Sequence, residues 1–117
     1  MASQAWLLTV VSWILQVLVA VAFFGAGGGK LAGAQAMIDM YNTIGFGQWF
    51  RYVTGVIEVG SAVMLLVPWL AMYGAVLLIC TMIGAIIAHF TALHTSPAGP
   101  VVLLCLSAAI AWLRRHP

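Results

Sequence analysis

From Trp6 to Gly27 the sequence runs without a single charged side chain, and that run decides which solvent the chain can fold in. A hydrocarbon core about 30 Å thick is spanned by about 20 apolar helical residues, because each residue advances the helix by about 1.5 Å. The run meets that length. Met1 to Ala5 carries no Lys or Arg, and the apolar stretch is far longer than a signal-peptide core, so it reads as a retained span. Three further apolar runs follow. The whole chain is 65% hydrophobic and only 5% charged, where a water-soluble domain carries roughly 25% charged residues. The expected fold is all-α: an integral membrane four-helix bundle, one domain over residues 1–117, with spans at about 6–27, 48–67, 69–90 and 98–114.

Between the first two spans, Ala34 to Phe46 is the one long connection. Met37, Met40, Tyr41 and Ile44 fall on one helical face, with Gln35, Asp39 and Asn42 elsewhere. That pattern predicts a short interfacial helix, ended by Gly45 and Gly47, which anchors at the surface or lies as a lid over the bundle. The glycines of Phe24 to Gly33 are read as the place where the chain leaves the first helix and turns at the membrane surface. They do not form a nucleotide-binding loop, because Leu31 stands after Lys30 where Ser or Thr is required. Pro68 and Trp69 predict a tight turn between the second and third spans.

Within the second span, Arg51, Thr54, Gly55, Glu58 and Ser61 repeat at helical spacing and share a face. A carboxylate in hydrocarbon costs at least about 2.5 kcal/mol, so Glu58 is either a polar tie between helices or part of a functional site. The first span supplies a matching seam of Trp13, Gln16, Ala20, Phe23, Gly27 and Lys30. The third supplies Thr81, Gly84, Ala85, Ala88 and His89, a small and polar face expected to point inward. Counting rise per residue from Trp69, Glu58 lies about 16 Å deep and Thr81 about 18 Å; Gln16 lies about 15 Å from Trp6. These three are expected to meet near the midplane, with Arg51 or Lys30 as the alternative, ionic partners of Glu58. The same count puts Arg51 at about 27 Å, His89 at about 30 Å and Lys30 at about 36 Å, a cationic mouth joined by His94. The candidate ligand-binding residues are therefore Glu58, Gln16, Arg51, Lys30, Thr81 and His89.

Several chemistries lack their residues. Cys80 and Cys105 form no CxxC pair and have no metal-ligand spacing with the histidines, so both read as small buried hydrophobes and no metal site is expected. Paired-histidine haem and flavin patterns are missing too. A formal charge of +2 is too small and scattered for nucleic-acid binding. An even number of spans puts both termini on one side, and Arg114 and Arg115 favour the cytoplasm for it.

Phe24 to Leu31, ending in Gly-Lys-Leu, then GQWFRYVTGVIEVGSAVMLLVP at Gly47 to Pro68, then TMIGAIIAHF at Thr81 to Phe90, resemble the DoxX family, specifically its short DoxX-like branch. Gly55, Glu58 and Gly60 match the family's Gly-x-x-Glu-x-Gly core, and Lys30 its lysine. The resemblance implies a four-helix bundle in a bacterial inner membrane, associated in some members with a thiosulfate:quinone oxidoreductase or other membrane redox complexes. On this chain it implies a small-ligand-binding subunit, with quinone as the candidate cofactor and a membrane or soluble redox partner protein. The alternative is a non-enzymatic assembly factor or scaffold. Small-residue helix faces also leave room for a homo-oligomer. No catalytic residue is identified. A transporter has less support, because four short spans show no internal repeat.

Overall fold

The computed structural model describes residues 2–115, and these form helices with no strand among them. The elements are α1 (Ala2–Ala32), α2 (Gln35–Ile44), α3 (Gln48–Leu65), α4 (Ala71–Ala88), a π-helical segment (His89–Leu93) and α5 (Ala98–Leu113). Two stretches are long and apolar enough to cross a membrane, Gln4–Ala32 and Ala71–Leu93; α5 is apolar but shorter. α3 is not among them: it is the helix that carries Arg51 and Glu58. α1 packs on α3, α3 on α4, α4 on α5 and α5 on α1, so the four long helices close a ring, with α2 laid across one end.

The helix boundaries follow local chemistry. Gly45, at φ 89°, ends α2 in a left-handed conformation, its N–H donating to the Tyr41 carbonyl. Gly47, at φ 104°, then turns the chain into α3. Pro97 precedes α5, and Pro100 sits in its first turn, where the missing N–H costs no hydrogen bond. Ala20 and Phe23 of the expected α1 seam enter the core, joined by Val19 from outside that seam. Val19, Ala20 and Phe23 of α1 meet Ala62 and Leu65 of α3, Ala75, Leu78 and Met82 of α4, and Ile110 of α5.

The glycine run behaves differently from the sequence expectation. Gly27 to Gly29 do not release the chain; α1 continues through them and ends only at Gly33, whose φ is 77°. The reason lies in packing. A Cβ on Gly27 would stand 2.9 Å from the Gly55 carbonyl oxygen and 2.8 Å from Val59 Cγ2, so Gly27 and Gly55 let α1 and α3 touch backbone to backbone. Gly74 does the same for α4, where a Cβ would stand 2.9 Å from the Ser61 carbonyl oxygen. Gly60, by contrast, meets nothing within 4 Å. Cys80 and Cys105 are both free and exposed, not buried as expected.

Depth counting also needs correction. Gln16 Nε2 donates to the Leu65 carbonyl at 2.6 Å, Gly27 packs on Gly55, and Arg51 Nη1 donates to the Lys30 carbonyl. Counted from Trp6 and Trp69, the partners in each pair differ by about 9–11 Å, a nearly constant offset. The start of α1 therefore stands beyond the Trp69 end of the bundle and not level with it. Length alone fixes how far a helix reaches, not how it slides against its neighbour. Gln16 consequently lies beside Leu65, away from Glu58.

Candidate functional site

α3 and α4 are tight at the end where the Pro68 turn joins them, through Gly74, and diverge toward the other end. The gap holds a cavity of about 530 Å³. α3 lines it with Phe50, Thr54, Ile57 and Glu58, and α4 with residues from Leu77 to Ala88, followed by His89 and Leu93. α1 contributes Ala26 and Lys30, and α5 Gly99, Pro100 and Leu103. The roof is α2, whose Met37, Met40, Tyr41 and Ile44 all face inward, and α2 packs against the π-helical segment across the top. The walls are thus mostly carbon, which suits an apolar ligand body.

The polar exception is an ion pair. Lys30 Nζ lies 2.6 Å from Glu58 Oε1, with side-chain exposures of 12% and 2%. Backbone direction explains how these residues meet although their levels differ by about 10 Å along the axis. Side chains lean toward the N-terminus of their own helix, and α1 and α3 run antiparallel. Lys30 therefore leans toward the middle of the bundle, and Glu58 leans up to receive it.

Around the pair, other polar groups are already engaged. Tyr41 is buried, and its hydroxyl lies 2.7 Å from Thr54 Oγ1. Thr54 Oγ1 also lies within hydrogen-bond distance of the Phe50 and Arg51 carbonyls, and its bond with Tyr41 ties α2 to α3. Thr81 Oγ1 donates back to the Leu77 carbonyl at 2.8 Å. His89 Nδ1 lies 2.6 Å from Thr95 Oγ1, which holds the imidazole at the start of the π-helical segment. Such a wide turn inside a helix is a recurrent feature of functional sites.

Of the six residues singled out from the sequence, the cavity gathers Lys30, Glu58, Thr81 and His89. The inward face of Thr81, Gly84, Ala85, Ala88 and His89 lines it in full. Gln16 and Arg51 stand elsewhere. Gln16 is fully buried and joins three helices: Oε1 accepts from Ser12 Oγ at 2.7 Å and from Arg114 Nε at 2.8 Å, while Nε2 bonds Leu65. Its expected meeting with Glu58 and Thr81 is replaced by these bonds, and Glu58 takes Lys30 in its stead. Arg51 is buried at the end of α1, donating to the Lys30 carbonyl and, from Nε, to Gln48 Oε1 at 2.7 Å.

Two features escaped the sequence. The methionine face of α2 was visible as a face, but only the fold turns it over a cavity. The Gln16–Arg114 bond joins residues from opposite ends of the chain, and no spacing rule announces it; Arg114 reads in the sequence as a topology signal.

A family model described as the DoxX-like family matches residues 14–110, a stretch that holds every cavity-lining residue and Arg51. No curated protein and no solved structure matches the chain. The Lys30–Glu58 pair and the Gly27–Gly55 crossing fall inside the matched stretch, and this membrane protein belongs to the DoxX-like family.

Proposed function

We propose that the protein binds a lipid-soluble small molecule of the quinone class in the cavity between α3 and α4, as a subunit working with a redox partner protein. The observation that carries this reading is an apolar cavity of about 530 Å³ with one buried ion pair, Lys30–Glu58, on its wall. A quinone combines an apolar ring and tail with two carbonyl acceptors. Lys30 would donate to one carbonyl, and Glu58 would stand as the neighbouring acid or base. Thr81 and His89 line the far wall, within the same space. Electrons must come from elsewhere, since the sequence offers no CxxC, paired-histidine or flavin pattern; the partner supplies them.

In this reading α1, α3, α4 and α5 are the four spans of a bundle in a bacterial inner membrane. α3 crosses despite its charges because Glu58 and Arg51 face inward and are paired or capped there. Arg114 and Arg115 at one end favour cytoplasmic termini. The outward-facing Trp69 and Trp112 suit an aromatic belt on one side and Trp49 on the other, with Trp6 standing beyond the first belt.

The test uses the two cysteines. Cys80 lines the cavity, whereas Cys105 does not, and both are exposed. In lipid nanodiscs, decylubiquinone should slow alkylation of Cys80 by N-phenylmaleimide and leave Cys105 unaffected. Equal rates at Cys80 with and without the quinone would refute the reading.

A further inference from the structure

Arg51 was expected to meet the ligand, yet its side chain is engaged by protein groups outside the lining of the cavity or by the Lys30 backbone. Its side chain is 4% exposed, and it is not among the cavity-lining residues. Nη1 donates to the Lys30 carbonyl, Nε donates to Gln48 Oε1, and the guanidinium lies over the Tyr52 ring at 4.3 Å. Nη1 also stands 3.7 Å from where a Cβ on Gly33 would project, against the turn that ends α1.

The last four carbonyls of a helix have no partner within it, and they carry the negative end of the helix dipole. At the end of α1 the Gly29 carbonyl accepts from the Ala34 N–H at 3.0 Å, and the Lys30 carbonyl accepts from Arg51. A planar cation fixed by Gln48 and Tyr52 is suited to this task. It satisfies an orphan acceptor and opposes the dipole at once. The residue whose carbonyl is held is the residue whose side chain reaches Glu58. Arg51 and Glu58 also belong to one helix face, so the carbonyl and the ammonium of Lys30 are gripped from two points on α3.

We propose that Arg51 is a positioning residue: by holding the Lys30 carbonyl to α3, it fixes the end of α1 so that Lys30 Nζ meets Glu58 at the cavity wall. The role of that pair in ligand binding rests on the proposed function; the coupling of Arg51 to the pair does not. A lysine in its place keeps the charge but loses the fork that joins Lys30 to Gln48.

The chain offers an unusually direct test, because Lys30 is its sole lysine and Glu58 its sole glutamate. Labelling lysine with 15N at Nζ and glutamate with 13C at the carboxyl gives one signal of each kind. The dipolar coupling between them, measured by magic-angle-spinning NMR in lipid, reports the pair itself. The coupling should be strong in the native chain and lost in Arg51→Gln. Should Arg51→Gln fail to fold, Gln48→Leu removes the acceptor that orients Nε, together with the Gln48 Nε2 bonds to the Ile38 carbonyl and Asn42 Oδ1, and should weaken the coupling by a smaller amount. Native coupling in a folded Arg51→Gln or Gln48→Leu chain would overturn the proposal. Decylubiquinone protection of Cys80, run on the same samples, is read separately. Its failure in the native chain strikes the ligand reading and leaves the coupling result standing.

Discussion

Replacing Glu58 by Gln removes one charge and almost no volume, which makes it the sharpest probe of what the ion pair contributes. Glu58 is 2% exposed and Lys30 12%, with Nζ and Oε1 2.6 Å apart. At an effective dielectric constant of about 20, two unit charges about 4 Å apart attract by about 4 kcal/mol. Glu58→Gln forfeits that attraction and leaves the ammonium without a counter-charge, and breaking a buried pair from one side costs about 3–5 kcal/mol. Removing both charges with apolar groups of similar volume is near neutral by the same reasoning. The double variant Lys30→Met with Glu58→Met should therefore fall within about 1 kcal/mol of the native chain. Unfolding by sodium dodecyl sulfate in mixed micelles, followed by tryptophan fluorescence, measures all three. The expected order is native and double variant together, with Glu58→Gln well below. If Glu58→Gln unfolds within about 1 kcal/mol of native, Lys30 has another place to put its charge, and the pair is no structural tie.

Two further variants test the packing and the polar cross-link. Gly27→Ala should destabilise by about 1–3 kcal/mol in the same assay, because its Cβ meets the Gly55 carbonyl. Gly60→Ala, with open space around it, should be neutral or stabilise by up to about 1 kcal/mol. Gln16→Leu strands the Leu65 carbonyl and Arg114 Nε together, and should cost about 1–3 kcal/mol per buried group left unpaired. Decylubiquinone protection of Cys80 should survive that last change, since Gln16 lies outside the cavity.

How legible the site was depended on the distance over which its geometry is set. Which face of α3 turns inward was readable, because Arg51, Thr54, Gly55, Glu58 and Ser61 are spaced by the helix itself, and all but the half-buried Thr54 are buried. The α4 face from Thr81 to His89 was readable for the same reason. The partner of Glu58 was not. Depth counting set Lys30 at the far mouth and Gln16 beside Glu58, since it placed Trp6 and Trp69 at one level. The true offset comes from Gly27 meeting Gly55, a contact between helices that neither sequence segment encodes alone.

Composition, periodicity and the family's motifs were enough to establish an all-helical membrane protein with an inward carboxylate on α3 and a short helix between α1 and α3. Those properties follow from the transfer free energy of side chains and from rise per residue, and both are local. Only the tertiary structure decided that α3 and α4 diverge around a cavity, that α2 roofs it, that Arg51 turns away to cap α1, and that Lys30 answers Glu58. Each depends on how helices slide and splay against one another. That is settled by where glycine lets two backbones touch and by which buried polar group can reach a partner.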